Sequence, residues 1–252
     1  MNFRKALTQG LIKINPTENF KIPKKQQSVE ELEKAEEEIV FLEKEELAYF
    51  LKLTYTDGLA MDSLIFTVLS YTGLRIGELL ALKWGDSKET QGTIRVTKTL
   101  YNPNNHFEKY QLLTPKTKGS IRTIKIDEML LNMLKKHRIK QNEIKLKNRL
   151  VYNDNGFIFA REDGHPQLRK VVDTRLKRLL KKAGIKKHIT PHSFRHTHSS
   201  LLIEAGVGIK EIQQRLGHTD INTTMNIYAH MTDNMEEKAS HQFSKLMEDL
   251  QL

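Results

Sequence analysis

Apolar positions recur at helical spacing through most of the chain and alternate in one short stretch. This pattern predicts a mainly α protein with a small three-stranded antiparallel β-sheet inserted in it. The segments "EELAYFLKL" and "MDSLIFTVLSYTG" read as helices, the second with a stripe of Leu64, Ile65, Val68 and Leu69 and a break at Gly73. "RIGELLALKW" resumes as a helix with Leu79, Leu80 and Leu82 inward. The stretches "TIRVTKTLY", "HFEKYQLLTP" and "SIRTIKI" alternate apolar with polar residues and carry β-branched side chains, so they predict the three strands. "KTKG" lies between the last two as a tight basic turn. The remainder returns to helical period. "DEMLLNMLKKHRIKQNEIK" opens on Asp127 in N-cap position, and "GFIFARE" reads as a short extended piece. "LRKVVDTRLKRLLKKAG" is a basic amphipathic helix ended by Gly184. "TPHSFRHTHSSLLIEAG" starts with Thr190 as N-cap and Pro191 at the first helical position, and stops at Gly206. "GIKEIQQRLG" is another short helix, and "DINTTMNIYAHM" and a tail helix over 234–249 close the chain.

The N-terminal end has a different character. Residues 1–15 read as a short amphipathic helix with Leu7, Leu11 and Ile12 on one side, stopped by Asn15-Pro16. A basic connector, "KIPKKQQS", and an acidic run that reads as a solvated linker over 27–41 follow. From Leu42 onward the pattern is globular. At 252 residues, one main domain with a smaller appendage is expected.

Composition narrows the function classes. The net charge of +10 favours a polyanionic partner, and nucleic acid is the commonest one in a cell. No run approaches the ~20 apolar residues of a membrane-spanning helix, and "MNFRKALTQG" has no signal-peptide apolar region. With no cysteine, disulfides and thiolate metal ligands are excluded, which fits a reducing, cytoplasmic setting.

The densest chemistry lies in "PHSFRHTHSS". His192 and His196 are four apart and share one side of a helix, half of a zinc-protease signature. Ser193 stands where that signature needs its glutamate, and Arg195 between the histidines would repel a dication, so no metal is expected. An anion fits better. His192 and Arg195 occupy a helix start, where the dipole and free N–H groups favour negative charge. Arg195 adds a planar fork that matches two phosphate oxygens, and His192 adds a group that titrates near neutrality. Elsewhere Arg75 follows a glycine break in "TGLRIGELLAL" with Glu78 one turn on. Lys116 and Lys118 sit in the β-turn of "TPKTKGSIR", and His218 precedes Tyr228 by ten residues in "LGHTDINTTMNIYAH". Each has a plain structural explanation: a surface ion pair, a solvated hairpin tip, a tyrosine on a stripe with Ile221 and Met225.

In this order, the set resembles the catalytic domain of the tyrosine recombinase (phage integrase) family across residues 42–232, in the style of integrases of phages and integrative or conjugative elements of low-GC Gram-positive bacteria. The resemblance implies a DNA breaking-rejoining fold and site-specific recombination through a 3′-phosphotyrosyl intermediate, with no metal or other cofactor. It implies Tyr228 as nucleophile, Arg75 and Arg195 as phosphate clamps, and His192 as proton acceptor or phosphate ligand. His218 would bond a non-bridging oxygen, Lys116 would be the general acid with Lys118 as the alternative, and Glu78 would support the cluster. His196 and His198 receive no role. Phosphate contacts outside the site are expected from Lys118 and from Arg169, Lys170, Arg175, Lys177, Arg178 and Lys181 on the basic helix. The resemblance further implies that residues 1–26 are the last helix and linker of a core DNA-binding domain that otherwise precedes this one, so that the chain is a fragment. Double-stranded DNA, a homotetramer on DNA with weak association without it, and a directionality factor are the implied partners. A dimer-resolving recombinase with the same chemistry, and a DNA-binding module without turnover, are the competing readings.

Overall fold

The computed structural model describes residues 3–16, 40–115, 120–218, 221, 224–225 and 227–229. Two compact units divide the chain, Met1–Glu38 and Ile39–Leu252. In the first, helix α1 covers only Phe3–Thr8. Gly10, at φ +71°, turns the chain there, and its N–H donates to the Leu7 carbonyl while that of Leu11 donates to Ala6. The expected helix therefore ends early, and Leu11 is 64% exposed instead of lying on an apolar helix face.

The second unit is mostly helical: α2 (Lys44–Thr56), α3 (Asp62–Thr72), α4 (Ile76–Ala81), α5 (Glu128–Lys147), α6 (Arg169–Lys182), α7 (Ser193–Glu204) and α8 (Ile209–Leu216). The core forms where their apolar stripes meet. Phe50 of α2, Phe66 of α3 and Phe194 of α7 pack ring on ring, with centroids 5.3–5.6 Å apart. Leu64, Ile65, Val68 and Leu69 are all buried, as are Leu79, Leu80 and Leu82. Asp127 caps α5 by accepting from the Leu130 N–H at 2.9 Å. "GFIFARE" runs beside residues 82–84, where Ile158 N–H donates to Leu82 and Trp84 N–H to Gly156.

The β region departs from the expected arrangement. β1 (Ser87–Lys88), β2 (Thr93–Val96) and β5 (Arg122–Lys125) form the three-stranded antiparallel sheet, in the order β1-β2-β5. β3 (Thr99–Tyr101) and β4 (Gln111–Leu113) pair separately as a two-stranded ribbon. "TIRVTKTLY" thus divides between two sheets. Thr97 and Lys98 belong to neither strand, and the Lys98 ammonium is held by Asp86. Within the larger sheet the pairing is Ile94↔Ile124 and Val96↔Arg122, and burial alternates so that these four residues face inward.

α7 begins at Ser193, two residues later than "TPH" suggests. Thr190 does not cap it. The Thr190 N–H instead donates to Ser193 Oγ at 3.1 Å, and Pro191 lies in the turn before the helix. Among the described residues no helix is long and apolar enough to cross a membrane. The expected tail helix over 234–249, Lys116, Lys118 and residues 17–39 of the N-terminal connector and linker lie outside the described residues.

Candidate active site

Three elements bring the site together. α3 ends at Thr72, and Gly73 caps it with φ +61°. A side chain on Gly73 would meet Leu216 at 2.6 Å and His198 at 2.8 Å, so only glycine lets α3, α7 and α8 close here. Two residues on, Arg75 caps α4, and its backbone N–H and Nη1 both donate to Glu78, each at 3.0 Å. α7 supplies Arg195 from the next layer.

Arg195 is 1% exposed, the largest fully buried side chain of the described residues. Each nitrogen of its fork donates once, leaving two of the five N–H donors: Nη1 donates to the Gly73 carbonyl at 2.8 Å, Nη2 to the Leu216 carbonyl at 2.7 Å, and Nε to His218 Nε2 at 3.1 Å. Burial lowers its guanidinium to about 9, with Arg75 and Arg122 adding repulsion, so it stays charged at neutral pH. The same contacts fix the state of His218. Its Nε2 accepts from Arg195, so its Nδ1 carries the proton and donates to Thr224 Oγ1 at 2.9 Å. Burial and the charges of Arg195 and Arg75 push His218 down to about 3, which keeps it neutral. In this arrangement His218 Nε2 accepts from Arg195, so a bond from this atom to a phosphate oxygen requires the pair to separate and the ring proton to move to Nε2.

Among the described residues Glu78 is the one carboxylate within the cluster, and it is buried. Burial pushes its pKa up, but hydrogen bonds and charge from Arg122, together with Arg75, outweigh this and hold it below the usual range. Arg75 and Arg122 bond this carboxylate and Arg195 lies within its electrostatic reach, so the cluster carries net positive charge and suits an anionic ligand.

His192 lies at the α7 start, edge-on to His196 with ring centroids 4.8 Å apart. Desolvation and the charges of Arg195, Arg75 and Arg169 lower its pKa, so its neutral form can accept a proton near neutrality. Tyr228 sits at the edge of a second apolar cluster made by Ile203, Ile212, Leu216 and Ile227. The stripe of Ile221 and Met225 that would have made Tyr228 a core residue faces outward, while Thr224 and Ile227 are buried.

Sequence reasoning missed three residues. Arg122 grips Glu78 through both nitrogens, at 2.8 and 3.2 Å. Arg215 ties α8 to the Tyr71 and Lys125 carbonyls. His198, assigned no role, is a buried bridge whose Nδ1 donates to Ser70 O at 2.8 Å while Nε2 accepts from Arg215 Nε at 3.0 Å. Inward strand phase marked Arg122; no local pattern marked the other two. On α6, Arg175 and Arg178 both pair with the buried Asp62. Arg169, Lys177 and Lys181 line an open groove of about 770 Å³ between α6 and residues 184–191, and Lys170 is exposed beside it.

Burial lowers His198 to about 4, with Arg215 contributing. An unfolded histidine binds its proton near 6.5, so the unfolded chain protonates first as pH falls. The stability this group contributes is complete above pH 6.5 and is lost between 6.5 and about 4, roughly 3 kcal/mol in all. His198→Gln should flatten the acid limb of stability measured by urea unfolding at pH 7, 5.5 and 4.5. Identical slopes for variant and parent would contradict this assignment.

The sequence model of the phage integrase family matches residues 40–235. The chain is 32% identical over 233 residues to the integrase of Staphylococcus phage L54a, covering 90% of this chain and 66% of that protein. It is 30% identical over 245 residues to the ICEBs1 integrase of Bacillus subtilis, covering 97% of this chain and 62% of the relative. It therefore spans about half to two-thirds of the length of the curated relatives. Among solved structures, the Tn1549 transposon integrase in complex with circular intermediate DNA superposes with TM-score 0.66 at 26% identity, over 96% of this chain and 76% of that one. The XerA recombinase superposes with TM-score 0.63 at 26% identity, over 81% and 65%.

Proposed function

Because this chain belongs to the phage integrase family of tyrosine recombinases, we propose that it cuts and rejoins DNA strands at a specific site through a 3′-phosphotyrosyl intermediate, in the integration and recombination of a mobile element. One observation carries this reading: Arg195 bonds both His218 and the carbonyl of Gly73, two residues before Arg75, while Arg75 and Arg122 share the Glu78 carboxylate, so arginines distant in sequence lie in one cationic cluster.

The Tyr228 oxygen attacks the scissile phosphorus, the bond to the 5′-oxygen breaks, and the phosphodiester energy is kept in the new ester. His192 takes the phenolic proton or steadies the phosphate. Arg75 and Arg195 neutralise charge building on the non-bridging oxygens, each such preorganised donor being worth on the order of 10²–10³ in rate. Arg195 serves this best because its fork is already fixed by two carbonyls, so little reorganisation accompanies the reaction. His218 joins the phosphate after its ring leaves Arg195 Nε and its proton passes from Nδ1 to Nε2, the atom that must donate to a non-bridging oxygen. Lys116, or Lys118 beside it, returns a proton to the leaving 5′-oxygen. No step calls for a metal. Lys118, Arg169, Lys170, Lys177 and Lys181 hold the DNA backbone. Double-stranded DNA is the substrate, a homotetramer the working assembly, a directionality factor a further partner, and the cytoplasm the setting.

The test is a nicked suicide duplex carrying the family's core site. The chain should form a covalent adduct resistant to denaturant and undiminished by excess chelator. Retained DNA binding with no adduct would assign it to binding alone.

A further inference from the structure

We propose that Arg122 is a positioning residue that sets Arg75 and Arg195 in register and leaves the charge of Arg75 available to the phosphate; this rests on the recombinase reading. Arg122 occupies a strand position whose neighbours in the same inward phase are Ile94, Val96 and Ile124. A buried charge at such a position is no better for stability than an apolar residue of similar size, so stability alone is a poor account of it.

Its contacts say what it does. Nη2 and Nη1 hold the two Glu78 oxygens at 2.8 and 3.2 Å, while Nε donates to the Arg215 carbonyl at 2.8 Å. Nη1 also reaches the Ser120 carbonyl, at 3.3 Å. On one side Arg122 thus fixes the carboxylate that orients Arg75. On the other it fixes the peptide unit just before the Leu216 carbonyl that holds Arg195. One planar fork spans both clamps, which a lysine's single ammonium cannot do.

The charge balance gives the second part of the role. Glu78 contacts both Arg75 and Arg122. The buried guanidinium takes up the carboxylate charge with two hydrogen bonds, and Arg75, whose side chain is 41% exposed, keeps its own charge toward solvent. Without Arg122, Glu78 would pair fully with Arg75 and withdraw it.

Arg122→Lys is measured on the nicked duplex for affinity, and in single turnover for both rate constant and final amount of adduct. Affinity should stay within about threefold and the final amount should be unchanged, while the rate constant falls about 10- to 100-fold. Glu78→Gln/Arg122→Met removes both buried charges together, so it keeps the fold where the single variant does not; it should show the same slow rate at full final amount. A parent-like rate constant in these variants overturns the proposal. So does less adduct formed at the parent rate constant, which marks a role in folding only. If the parent chain forms no adduct, the recombinase reading fails and takes this proposal with it.

Discussion

Tyr228→Phe should abolish the covalent adduct, a loss on the order of 10⁴-fold or more, while DNA affinity stays within about threefold. The substitution removes the one atom that would form the new bond to phosphorus. It keeps the ring that packs at the edge of the Ile203, Ile212, Leu216 and Ile227 cluster, so the melting temperature should change little. Removing a hydroxyl's hydrogen bond changes stability by about 1 kcal/mol. Binding and chemistry are therefore separated in one variant, measured by gel shift and by denaturing electrophoresis. An adduct formed by Tyr228→Phe at the parent rate would show that another group attacks.

Arg195→Ala should do two kinds of damage at once. The rate of adduct formation should fall by about 10²–10³ through loss of the phosphate clamp. The fold should weaken as well, because the Gly73 carbonyl, the Leu216 carbonyl and His218 Nε2 all lose their donor in a buried place. An orphaned buried acceptor costs about 1–3 kcal/mol, so a total of about 3–5 kcal/mol and a fall in melting temperature of about 10 °C are expected. Arg75→Ala provides the contrast. Its side chain is partly exposed and Glu78 retains Arg122, so a comparable rate loss should come with a much smaller thermal shift. Equal thermal shifts for the two variants would contradict the assignment of Arg195 as the structural centre of the site.

Such a distinction was not visible in the sequence, where Arg75 and Arg195 read alike as arginines at helix starts. The helical stripes were legible because burial imposes their period directly: Leu64, Ile65, Val68 and Leu69 could face only the core. Asp127 was legible as a cap because capping is local. The β region was half legible. Alternation located the strands, but not their partners: β2 joined β1 and β5, while β3 paired with β4. The basic helix showed the same limit. Its charge was evident, yet Arg175 and Arg178 answer to Asp62, more than a hundred residues earlier.

The sequence by itself determined the mostly helical architecture, the family, and the ordered set of residues to watch, because period, glycine breaks and local motifs are written in neighbouring positions. Only the tertiary structure showed that Arg75, Arg195 and His218 are linked through Glu78, Gly73, Arg122 and the backbone of residues 215–216. The reason is physical: a buried charge needs partners, and in this fold the carbonyls and carboxylate that satisfy Arg195 and Arg122 come from segments that meet only when the chain is folded.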